Sequence, residues 1–107
     1  MKGFQGGMQQ FMKQANQLQT KMKKLQEELE TREYAATSGG NAVTITVTGG
    51  NQLKAVNISA DVMKSGDAEM LQDLILTATN EALRKAKETG QTEMDKLTGG
   101  MAVPGLF

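Results

Sequence analysis

The sequence predicts an α+β fold of order α-β-β-β-α, with a three-stranded antiparallel sheet between a long N-terminal helix and a C-terminal helix. Three patterns predict it. Apolar residues recur at alternating steps of three and four as far as Leu29, then alternate in steps of two, and return to helical spacing from Ala68. The 107 residues suit one domain, 1–107, with 1–7 and 98–107 expected as flexible tails.

In the first helix Met8, Phe11, Ala15, Leu18, Met22, Leu25 and Leu29 form a seam at heptad a and d positions. Such a seam packs along its length against another helix. About 22 residues at 1.5 Å each make roughly 33 Å of helix. So small a globule cannot bury that length, so part of it is expected to project or to meet a second subunit. The Gly-rich start "MKGFQGG" is expected to stand outside the helix.

Strands are expected at 32–38, 42–48 and 53–59. Val43, Ile45 and Val47 point one way and Thr44, Thr46 and Thr48 the other. The gaps "SGGN" and "GGNQ" hold turn residues that tolerate positive φ. Val56 and Ile58 are expected to supply the buried face of the third strand. With one apolar and one polar face, the sheet should be covered by helix on one side only.

"ADVMKSGD" reads as a connector, with Asp67 as N-cap of the second helix and Glu69 in its first turn. Leu71, Leu74, Ile75, Ala78 and Ala82 form its apolar face. Ala78, Ala82, Ala86 and Gly90 recur every four residues and permit close approach of another element. The helix is expected to run from about Ala68 towards Leu97, with Gly90 counting against an unbroken course. The end "TGGMAVPGLF" is apolar but broken by Gly and Pro, hence a tail.

The composition excludes much chemistry. The chain has no Cys and no His, which removes disulfides, thiolate metal sites and the commonest general base. The carboxylates Asp61, Asp67, Glu69 and Asp73 fit no calcium-loop spacing and read as caps and first-turn charges. The glycine pairs lie between strands, where they serve hairpins and not phosphate cradles. No enzyme activity, cofactor, metal or small-molecule substrate is expected. No apolar run approaches the ~20 residues that span a bilayer, and the start lacks a signal-peptide core, so a cytoplasmic location without membrane association is expected.

Net charge is zero but unevenly spread. Lys2, Lys13, Lys21, Lys23 and Lys24 precede the first acid, Glu27, and the seven later basic residues face all twelve acids. On a helical wheel Lys13 and Lys24 lie about 20° apart and opposite the seam, with Lys21 and Lys23 on its two flanks. Each lysine can then reach a nucleic-acid phosphate and displace a condensed counterion. The same lysines would also suit a plain solvated face, since Lys23–Glu27 and Lys24–Glu28 are i,i+4 pairs. The second helix adds Arg84, Lys85 and Lys87, a weaker patch interrupted by Glu81 and Glu88. The polar sheet face has no aromatic platform for stacking bases, and Arg occurs only at 32 and 84, so duplex held by its phosphates with weak sequence preference is the better fit.

Four stretches together carry a family resemblance: "GFQGGMQQFMKQANQLQTKMKKLQEEL", "GGNAVTITVTGGNQLKAVNIS", "EMLQDLILTATNEALRKAKE" and "GGMAVPGLF". Over nearly the whole chain the sequence resembles the YbaB/EbfC family of bacterial nucleoid-associated proteins. The resemblance implies a tweezer-like homodimer whose long helices project as arms, and duplex DNA binding in the nucleoid with a role in gene regulation. By position, the DNA-facing residues would be Lys13, Lys21, Lys23, Lys24, Arg84, Lys85 and Lys87. Helix or dimer packing would fall to Phe11, Ala15, Leu18, Met22, Leu25, Leu29, Ala78 and Ala82. The competing reading is a helix-hairpin-helix interaction protein, a prefoldin-like holding chaperone or an adaptor, motivated by the seam, Met8, Met12, Met22 and the apolar tail.

Overall fold

A computed structural model of the chain describes residues 2–99, with side chains from Gly7 onward. The order is α1 (Lys2–Thr31), β1 (Glu33–Ser38), β2 (Val43–Thr48), β3 (Leu53–Ile58), α2 (Ala60–Ser65) and α3 (Ala68–Thr98). The molecule measures 78 × 19 × 18 Å with a radius of gyration of 20.9 Å. A globule of this length would have a radius of gyration of about 13 Å. The length comes from helix that leaves the sheet.

The sheet is antiparallel in the order β1-β2-β3. Ala36 stands opposite Ile45, and Ile45 opposite Val56, with a register shift between Thr46 and Val47 on the β3 side. The β1–β2 turn uses Gly39, Gly40 and Asn41 at positive φ, and the β2–β3 turn uses Asn51. One face is sealed by α3: Ala78, Ala82 and Ala86 pack on Val43, Ile45 and Val47, all seven of these core residues with Ala36 being buried. The small side chains let the helix backbone approach the sheet, which suits a core that has few aromatics. Ser38 Oγ ties β1 to α3 by donating to the Leu74 carbonyl at 2.6 Å.

The structure departs from the sequence reading in three places. Helix α1 starts at Lys2 and runs through the Gly-rich start, as cooperative extension of a long helix outweighs the poor local propensity. The connector holds a short helix, α2, with Ser59 accepting from the Val62 amide and Gly66 closing it at φ 69°. Helix α3, by contrast, keeps close to its expected span and is unbroken through Gly90. Val56 lies on the core side of the sheet yet is 47% exposed, and Ile58 is half-buried, because α3 packs across β1 and β2 and leaves β3 uncovered. Asp67 does cap α3, accepting from the Met70 amide at 3.0 Å. Gly99 ends that helix at φ 67°, and residues 100–107, most of the expected C-terminal tail, lie outside the described residues.

Candidate nucleic-acid interface

The joint between α1 and the sheet is built from backbone. The last carbonyls of a helix have no intrahelical partner. Here the Gly49 amide donates to the Arg32 carbonyl at 2.9 Å and the Gly50 amide to the Glu30 carbonyl at 3.1 Å. The β2–β3 turn thus seats the end of α1. A second, smaller core lies just beyond: Met22 and Leu29 of α1 bury against Met94 of α3, with Leu18, Leu25 and Leu97 packed around them. Arg32 and Glu93 add an ion pair at 4.0 Å.

The seam is therefore half used. From Leu18 to Leu29 it packs within the chain on the end of α3. Phe11 (68% exposed), Ala15, Met8 and Met12 stand in solvent, and the outer half of α1 has no neighbouring element among the described residues. The expected packing of Leu18, Met22, Leu25, Leu29, Ala78 and Ala82 is accounted for within one chain; that of Phe11 and Ala15 is not.

On this projecting helix Lys13, Lys21, Lys23 and Lys24 are all exposed. The ion pairs among the described residues are Arg32–Glu93, Lys54–Glu33, Arg84–Glu81 and Arg84–Glu88, so neither Lys23–Glu27 nor Lys24–Glu28 is formed. Lys13 and Lys24 lie about 16 Å apart along the helix, several phosphate spacings of a duplex. Gln9, Asn16, Gln17 and Thr20 share the face with Lys13 and Lys21. Sequence reasoning passed over these uncharged polar side chains. The i,i+4 spacing of Gln9 to Lys13 and of Gln17 to both Lys13 and Lys21 was the available signal, and side-chain amides do donate to phosphate oxygens.

Helix α1 also carries its charges in the order its dipole disfavours. Its first turn has no acid and its last no base, while Glu27, Glu28 and Glu30 sit near the negative end. Each such misplacement costs about 0.3–1 kcal/mol at an exposed site. A charge order that opposes helix stability points to a role outside the helix.

The second patch divides. Arg84 is clamped by Glu81 and by Glu88, the latter at 2.8 Å. The hydrogen bond from Arg84 is the main reason the Glu81 carboxyl titrates below its ordinary range. The pair's small contribution is present above the ordinary carboxylate range and fades as pH falls through Glu81's lowered value. Lys85 donates to the Ala35 carbonyl at 3.0 Å and so covers the open edge of β1. Lys87 is exposed and lines a groove between α1 and α3 with Lys23, Glu27, Glu30, Tyr34 and Met94. Lys23 and Lys87 are brought together there, but beside two acids. The structure thus places Lys13, Lys21 and Lys24 on one open face, Lys23 and Lys87 in a mixed groove, and Arg84 and Lys85 in intramolecular contacts.

Comparison with known proteins agrees with this architecture. The model of the YbaB/EbfC DNA-binding family matches residues 4–101. A nucleoid-associated protein of Clostridium botulinum (strain Eklund 17B / Type B) is 53% identical over 106 residues, covering 98% of this chain and 93% of its own. Another, from Clostridium novyi (strain NT), is 49% identical over 107 residues, covering 98% and 94%. The fold is shared with uncharacterized protein HP0035 from Helicobacter pylori, at a TM-score of 0.70 and 19% identity, covering 84% of this chain and 95% of that one. The chain belongs to the YbaB/EbfC DNA-binding family.

Proposed function

We propose that the protein binds duplex DNA as a homodimer, mainly through lysine–phosphate contacts with weak sequence preference, and acts in the bacterial nucleoid, where coating or bridging the duplex affects gene expression. The observation that carries this reading is the exposed face of Lys13, Lys21 and Lys24, in no ion pair among the described residues, on a helix that projects from the fold. The names of the relatives support the nucleoid as its place. No helix among the described residues is long and apolar enough to cross a membrane. Fluorescence anisotropy with competitors tests the ligand. Unlabelled duplexes of unrelated sequence should displace a labelled duplex equally well, and single strands of equal length less well. Strong discrimination between duplexes would contradict phosphate-driven binding.

The homodimer rests on the uncovered part of the sheet. Val56 and Leu53 stand on the same face as Ile45 and Val47, and both are about half exposed. Met63, on the helix that follows β3, is exposed as well. A second copy placed over β3 would cover this surface and set two arms on one particle. Two weak contacts then gain from effective concentration. Val56→Asp is tolerated by the isolated subunit because the position is open. It is expected to reduce the mass in light scattering to that of a monomer and to weaken DNA binding with it. An unchanged mass would move the interface elsewhere.

Arg84 offers a test with the opposite sign. The double variant E81Q/E88Q leaves the guanidinium free to meet phosphate. It is expected to tighten duplex binding several-fold and to steepen its salt dependence. Equal affinity would mean that Arg84 faces away from the duplex.

A further inference from the structure

Helix α1 leaves the fold with its N-terminus outward, because its C-terminal end is the one seated on the β2–β3 turn. Helix α3 accompanies it only to the smaller core, where Met94 and Leu97 pack with Leu18 and Met22. Residues 2–17 of α1 extend past that core, over about 24 Å. There Met8, Phe11 and Ala15 continue the seam, with Met8 52% and Phe11 68% exposed. The heptad puts Gly7 and Gln14 on one flank of this stripe and Met12 on the other. Among residues 7–20 the only charged one is Lys13, which lies on the far side of the helix. The positions that would touch a second helix therefore carry no charge.

We propose that this stripe pairs with the same stripe of a second copy, tip over tip and antiparallel, and so joins two DNA-bound particles. The inference rests on the duplex binding proposed above and adds a bridge between duplexes. Two arms that approach by their tips meet antiparallel, because each N-terminus points outward. In such a pair an a position faces a d position, so Met8 of each copy meets Phe11 of the other. This register sets Lys2 level with Gln17 of the second copy, where the free stretch ends and α3 begins to cover the seam. Each central layer places a thioether against an aromatic ring, a favourable contact. The lysine faces of the two arms then point away from each other, each toward its own duplex. Charge and area decide when the contact forms. An arm with lysines and no acid before Glu27 repels its like until phosphates neutralise both. Two each of Met8, Phe11 and Ala15 cannot bury the roughly 1,200 Å² at which stable interfaces begin. The pairing is therefore weak between free molecules and holds where many arms line two duplexes.

The test uses the full-length protein and two duplexes, one biotinylated and held on beads, the other free and labelled. The parent protein should retain the labelled duplex on the beads. Phe11→Gln keeps helix propensity at an exposed site, so its fold and its retardation of a single duplex should match the parent's. Its retention of the second duplex should fall about tenfold or more, since avidity over many arms amplifies one weakened contact. Phe11→Leu, which keeps an apolar side chain there, should retain the second duplex far better than Phe11→Gln. Retention by Phe11→Gln equal to the parent's would overturn the pairing and give the stripe to another occupant, such as a partner protein. Loss of single-duplex retardation in Phe11→Gln would overturn it as well, by placing Phe11 against DNA. A parent protein that retards single duplexes but retains no second one would overturn the pairing alone. One that retards none would overturn the duplex-binding reading along with it.

Discussion

Reversing three charges together, K13E/K21E/K24E, is expected to abolish retardation of duplex DNA while the protein stays folded and keeps its mass. All three side chains are exposed and none is in an ion pair among the described residues, so no packing depends on them. In the proposed dimer the change removes six cations and installs six anions facing phosphate. Each lost phosphate contact lowers the salt slope by about 0.9, and like-charge repulsion acts in addition. Circular dichroism and light scattering should match the parent protein, and gel retardation should show no complex at low salt. Reversal of Lys23 alone should do less, because Glu27 and Glu30 already line its groove. If the triple variant still retards duplex as the parent does, the interface lies on another surface.

Replacing Gly49 by alanine is expected to destabilise the protein by about 1–3 kcal/mol, the range for overpacking a close-packed site. A Cβ at Gly49 would overlap the Leu29 carbonyl at the end of α1. Neither side can yield cheaply, since both atoms belong to backbone and the Gly49 amide is held by the Arg32 carbonyl. The melting temperature should fall by roughly 4–8 °C for each kcal/mol lost. Gly50→Ala should cost less, because its Cβ would meet mainly the flexible Glu30 side chain, at 3.0 Å. Gly90→Ala provides a control of opposite sign. Nothing lies within 4 Å of its Cβ, and a helix interior gains about 0.8–1 kcal/mol from alanine. Melting curves that place Gly49→Ala at or above the parent protein would contradict the described joint.

Periodicity alone carried much of the fold. The seam, the alternation around Ile45, the Asp67 cap and the alanine row are local patterns, and each fixes an element or its buried face. What stayed illegible depends on placement across elements. Val56 reads as core because its strand alternates, yet its burial depends on how far α3 reaches across the sheet. Phe11 and Ala15 read as packed because the seam is regular, yet α3 ends opposite Leu18. Family resemblance was legible in four stretches of the chain, and the family comparison agrees with it.

The site was legible in part. That Lys13, Lys21 and Lys24 share an open face follows from helix geometry, and the clamp on Arg84 could have been read from Glu81 at i−3 and Glu88 at i+4. The contact of Lys85 with Ala35 joins residues fifty apart in the chain, and no local pattern announces it.

The most direct test of the central claim is the salt dependence of duplex binding, measured by gel retardation of an unrelated fragment alongside light scattering. Three lysines on each of two arms predict a slope of about −5 in log K against log salt, or about a thousandfold loss of affinity between 50 and 200 mM salt, for a particle of dimer mass. A slope near zero, or no binding at low salt, would contradict the account and favour the interaction-protein reading of the same arms.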